Sequence, residues 1–123
     1  MSMMTNQVWT ACTELNGTVK RANLISIFTQ LAEHDDDFNG NNGEEYLWDS
    51  AKENGFESNE DYLTDKVLKG IEPNQELAQQ EVGKLIDKFL SDWTGRDNYY
   101  DGVDFDFVEK NNVLFVAVSV TTD

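Results

Sequence analysis

Val103-Asp104-Phe105-Asp106-Phe107 alternates apolar with acidic residues, Asn111-Asn112 follows, and Val113-Leu114-Phe115-Val116-Ala117-Val118-Ser119-Val120 is an almost unbroken apolar run. Alternation with period two sends successive side chains to opposite faces of a strand. Paired asparagines tolerate the φ > 0 that a two-residue hairpin turn requires. β-Branched and aromatic residues suit a pleated surface. Residues 103–120 are therefore expected to form a C-terminal β-hairpin, with Asp104 and Asp106 on the face opposite Val103, Phe105 and Phe107. Two strands alone are marginal, so a third must come from elsewhere.

Upstream of the hairpin the period is helical. Val8, Ala11, Cys12 and Leu15 recur at helical spacing between a capping Thr5 and Gly17, which predicts a short first helix. If that segment is not helical, Gln7 to Thr13 is the natural donor of the third strand. Val19 to about Glu33 carries a broad apolar stripe from Leu24 to Ala32, and Asn39-Gly40-Asn41-Asn42-Gly43 reads as a loop. Glu44 to Asn54 predicts a third helix with Gly55 just past its end. Ser58-Asn59-Glu60-Asp61 resembles a capping box and opens a fourth helix that runs to Gly70. Pro73 suits the first turn of a fifth, ending near Trp93 before Gly95. Helices precede strands, which predicts a single α+β domain over 1–123, with four to five helices packed on a small antiparallel sheet that contains the hairpin.

The charge is extreme and unevenly placed. Among 123 residues, 24 Asp and Glu face 9 Lys and Arg, for a net charge of −15. Residues 1–31 carry +1, residues 32–65 carry −11, residues 66–96 balance, and residues 97–123 carry −5. With 39% apolar residues the chain can still build a core. So many carboxylates disfavour direct nucleic-acid binding, which normally needs a basic face. No apolar run approaches the length of a membrane helix and the N-terminus lacks a signal-peptide pattern, so an intracellular location without membrane attachment is expected. One cysteine excludes an internal disulfide, and Cys12 is expected to be a small buried hydrophobe. The single His34, at a helix end, suits a structural role, and no nucleophile motif or phosphate loop points to an enzyme.

Two patterns bear on function. In the first, Asp35, Asp37 and Asn39 with Gly40 match the opening of a calcium loop, but Asn42 stands where an apolar residue belongs and Tyr46 where the bidentate Glu belongs, with Glu45 one place early. This leaves calcium as a candidate cofactor of a degenerate binding module built on Asp35, Asp37, Asn39 and Glu45. The second pattern is a pair of acidic rows. Glu45, Asp49 and Glu53 are spaced four apart, and Glu57, Asp61 and Asp65 repeat the interval. Like charges so spaced cost a helix about 0.2–0.5 kcal/mol per pair. Acids in first turns, such as Glu44, Glu45, Glu60 and Asp61, are favoured by the helix dipole, whereas Asp49, Glu53 and Asp65 lie beyond that help. Rows of carboxylates at a spacing of about 5–6 Å can stand in for a strand of phosphates, which follow one another at about 3.4 Å of axial rise. On the hairpin, Asp101, Asp104 and Asp106, with Tyr99 and Tyr100 beside them, make a second acidic patch of interface composition.

In size, charge and the placement of acids on helices and one hairpin, the chain resembles DNA-mimic proteins, the small acidic inhibitors that phages and mobile elements direct against restriction enzymes and CRISPR effectors. The resemblance implies a non-enzymatic anti-CRISPR or anti-restriction protein acting in the cytoplasm of a bacterial host. It also implies that the chain occupies the basic nucleic-acid groove of its target. The block from Asp35 to Asp65, including Asp36 and Glu44, would fill that groove, with Asp97 to Glu109 as a secondary contact. An immunity protein or antitoxin against a basic nuclease is the alternative of the same kind, and the calcium module is the alternative of a different kind.

Overall fold

The computed structural model describes residues 5–39, 43–94 and 100–122. In chain order the elements are β1 (Thr5–Glu14), α1 (Arg21–Asn39), α2 (Gly43–Glu53), α3 (Asn59–Lys66), α4 (Gln79–Thr94), β2 (Tyr100–Lys110) and β3 (Val113–Thr122). This is an α+β fold: among the described residues, four helices accompany a three-stranded antiparallel sheet of order β1-β3-β2.

The hairpin forms as its sequence dictates. Asn111 and Asn112 have φ of 53° and 60°, so both turn residues are left-handed, as a type I′ connection between right-twisted strands demands. The most continuously apolar strand, β3, is the central one, and its Leu114, Val116, Val118 and Val120 are buried.

The third strand corrects the first of the expected helices. Thr5–Glu14 is extended and pairs with β3 from Thr5↔Thr122 to Glu14↔Val113. The helical reading grouped Val8, Ala11 and Cys12, but pairing with the bare edge of the hairpin selects period two. Trp9 and Ala11 then point inward, and Trp9, 1% exposed, is among the largest buried side chains of the molecule. Cross-strand rows Trp9–Val118–Phe105 and Ala11–Val116–Phe107 build the floor of the core.

Above that floor, α1 lies against β1 and α4 against β2, while α2 and α3 pack on α1. The two sheet-covering helices meet through Phe28 and Phe89, whose rings stack with centroids 4.4 Å apart. At Gly83 α4 runs close to the sheet: a Cβ there would lie in ordinary contact with Phe107 Cε1, at 3.4 Å.

Three other boundaries differ from expectation. The α1 helix continues through Asn39 rather than ending near Glu33, so the backbone at 35, 37 and 39 is helical. The side chains of Asp35, Asp37 and Asn39, the expected calcium ligands, lie outside the described residues, as does Gly40 entirely. The fourth helix is shorter than expected, ending at Lys66 with Val67 as its C-cap. The fifth expected helix starts at Gln79, not Pro73. The preceding segment is instead held by the Leu77 N–H, which donates to the Val19 carbonyl at 2.9 Å, with Leu77 buried. The expected third helix and its stop agree: α2 ends at Glu53 and Gly55 has φ of 83°. The cap of the fourth agrees too, since Ser58 Oγ accepts from the Asp61 N–H at 3.1 Å. Gly95, the expected stop of the last helix, lies outside the described residues.

Candidate functional site

The described acids of α2 and α3 are exposed, as their spacing implies. Glu53, Glu57, Asp61 and Asp65 all face solvent. Element boundaries sharpen their cost: Glu53 is the last residue of α2, and Asp65 lies in the last turn of α3. A negative charge at a helix C-terminus opposes the dipole by about 0.3–1 kcal/mol. Asp49 is different, because Lys52 Nζ stands 3.6 Å from its Oδ1 and also lies over the Trp48 ring at 5.4 Å. Glu53, Glu57, Asp61 and Asp65 have no such cation within 4 Å among the described residues.

Glu57, Asp61 and Asp65 converge on one feature. Together with Glu72 they wall a broad open groove of about 640 Å³ whose floor includes Phe56, Leu68 and Ile71. Phe56 is fixed by an edge-on contact with Tyr62 at 5.6 Å. Arg21 and Lys69 border the groove as well, and the Arg21 guanidinium donates to the Ile71 carbonyl at 2.9 Å, which ties the 70–72 turn to α1. Asp49 and Glu53 do not line this groove. The part played by Glu72 and the apolar floor is not legible from charge spacing, since Glu72 falls in the neutral block of the chain.

The acids of the hairpin stand elsewhere. Asp104 and Asp106 are exposed on the face of the sheet that carries no helix, away from α2 and α3. Each carboxylate also does a local job. Asp104 Oδ1 accepts from the Phe105 N–H and Asp106 Oδ1 from the Phe107 N–H, both at 2.9 Å. In an antiparallel sheet, neighbouring residues of a strand turn their N–H and C=O groups to opposite sides. Asp104 and Asp106 pair with β3, so the Phe105 and Phe107 amides belong to the free edge of β2, and the carboxylates occupy it.

The free edge of β1 is covered in the same way by α1. Asn23 Nδ2 donates to the Glu14 carbonyl at 2.9 Å, and Gln30 both accepts from the Cys12 N–H (3.1 Å) and donates to the Cys12 carbonyl (2.8 Å). His34 Nε2 lies 2.8 Å from the Thr10 carbonyl. Residues 23, 30 and 34 share one helix face that occupies the β1 edge, and with Asp104 and Asp106 on the β2 edge both edges of the sheet carry side chains rather than being left as templates for another strand. His34 thus serves the fold from inside α1. Cys12 is not buried: it is exposed on the helix-free face.

The side chains of Asp35, Asp36, Asp37, Glu44, Glu45, Tyr100 and Asp101 lie outside the described residues, as do Asp97 and Tyr99 entirely. Among the described residues no group of three or more His, Cys, Asp or Glu side chains is placed to hold a metal ion. No described helix is long and apolar enough to cross a membrane. Comparison with known proteins finds no family model, no curated protein and no solved structure that matches the chain.

Proposed function

We propose that this chain is a non-enzymatic inhibitor that occupies the nucleic-acid groove of a basic target protein by charge mimicry, acting as an anti-CRISPR or anti-restriction factor. The observation that carries this reading is the set of exposed carboxylates Glu53, Glu57, Asp61 and Asp65, which have no cationic partner among the described residues although two of them oppose a helix dipole. A structural purpose would pair such charges or move them to N-termini. A surface built to neutralise phosphates accepts them and releases its counterions, which gives fast, salt-sensitive association. On this reading the acids from Asp35 to Glu45 also contact the target. The candidate targets are a CRISPR effector, a restriction enzyme or a nuclease.

The test is capture from bacterial lysate on the immobilised protein, followed by elution with either salt or duplex DNA. The expected outcome is a nucleic-acid-binding protein released by both. A triple variant, Glu53→Lys, Glu57→Lys and Asp65→Lys, should keep its thermal transition within about 1 kcal/mol of the parent, since exposed sites are tolerant. It should no longer capture the target. Capture that survives both DNA competition and the triple reversal overturns the reading.

A further inference from the structure

The helix-free face of the sheet is not an ordinary polar exterior. Val8, Val108 and Phe115 are 61%, 51% and 49% exposed. Register aligns Cys12, Phe115 and Val108 as one row across all three strands, and the adjacent row is Thr10, Ala117 and Asp106. Between these rows lies a hollow of about 170 Å³ lined by Thr10, Asp106, Val108, Phe115 and Ala117. Its walls are apolar apart from Thr10 and one carboxylate. Asp106, an exposed residue, uses Oδ1 on the Phe107 amide, and Asp104 lies two residues along the same strand and face. The rows that hold these two acids contain no cation.

An apolar hollow with a carboxylate on its wall matches a side chain that has an aliphatic stem and a cationic head. A planar guanidinium can also lie on the Phe115 ring while it hydrogen-bonds the carboxylate. A second copy of this chain is a poor occupant, because it would bring another −15 against the same aspartates. We propose that the helix-free sheet face is a docking surface for a basic protein segment in which arginine alternates with apolar residues, with one arginine seated in the hollow against Asp106. This surface is separate from the α2–α3 acids and does not depend on the mimicry reading. Because the two free edges are occupied, the segment lies across the face rather than joining the sheet.

The exposed Cys12, the only cysteine in the chain, stands in the row beside Phe115 and reports occupancy through its rate of alkylation by a polar maleimide. The probe is a short synthetic peptide alternating Arg and Val, with a citrulline-for-arginine version as the uncharged control. The Arg/Val peptide is expected to slow alkylation about fivefold or more, a difference of about 1 kcal/mol. Protection should fall below about twofold for Asp106→Asn, which keeps the acceptor for the Phe107 amide but loses the charge, and equally for Phe115→Ala. Unchanged thermal transitions for both variants show that the fold is intact. The triple reversal on α2 and α3 should leave protection unaltered, which separates this surface from the mimicry surface. The proposal is overturned by equal protection from the citrulline peptide, by full protection in either variant, or by no protection at all. It is also overturned if alkylation slows with protein concentration in the absence of peptide, which would make the occupant a second copy.

Discussion

At the scale of single residues, several side chains stand in for backbone. Gln30 offers the Cys12 peptide group both an acceptor and a donor, as a neighbouring strand would, and Asp104 and Asp106 each hold the next residue's free amide. A net hydrogen bond is worth about 0.5–1.5 kcal/mol. Gln30→Ala should therefore cost about 1–2 kcal/mol in denaturant unfolding, and should raise hydrogen exchange at the Cys12 amide while leaving the Trp9 amide protected. Equal exchange at both positions would mean that Gln30 does not hold the edge. Trp9 is the opposite case, a residue whose value is its volume. Its burial under α1 predicts a loss of about 3–5 kcal/mol for Trp9→Ala, measured by the same method.

At the scale of elements, what the sequence made legible was whatever could be decided locally. The Asn111-Asn112 turn, the Ser58 cap and the Gly55 stop depend on the dihedral and hydrogen-bonding habits of a few neighbouring residues, and all three are where their chemistry puts them. Segment 5–14 was ambiguous because its apolar residues fit both periods. The choice was made by the vacant edge of β3, about a hundred residues away, which no local pattern records. The α4 start was misplaced for a similar reason, since Leu77 is claimed by a bridge to Val19 before helical periodicity can use it. Of the candidate site, the acidic spacing was visible, and the pairing of Asp49 with Lys52 is an i,i+3 contact local to α2, but the apolar floor under Glu57, Asp61 and Asp65 arises only when elements meet. The closeness of α4 to β2 at Gly83 gives an element-scale prediction. Ala is favoured over Gly in a helix by about 0.8–1.0 kcal/mol, and the added methyl would make ordinary contact with Phe107 at 3.4 Å. Gly83→Ala should raise the melting temperature by a few degrees; a fall would show that α4 is already pressed on the sheet.

At the scale of the whole molecule, the charge of −15 acts on stability as well as on recognition. Self-repulsion disfavours the compact state and is screened over about 30 Å at 0.01 M salt but about 8 Å at 0.15 M. The melting temperature should therefore rise with sodium chloride over this range, while the salt dependence of target capture runs the other way. A melting temperature that falls with salt would mean that attractive pairs, not repulsion, dominate the surface. The molecule also presents two unlike exteriors, an acidic groove on the α2–α3 side and an apolar, aspartate-edged sheet face on the other.

The pairing of β1 with β3 has a consequence in time. Asn6 and Thr121, hydrogen-bonded across those strands, are 115 residues apart in the chain. A ribosome adding about 5–20 residues per second needs on the order of 5–20 s to make that interval. Throughout it β1, with Trp9, has no strand to join. Until the hairpin is released, Gln30 and its neighbours on α1 are the partners at hand for that strand's backbone. The side-chain clasp that guards the finished edge can therefore shelter the nascent one, and weakening it should show first as lost yield during synthesis.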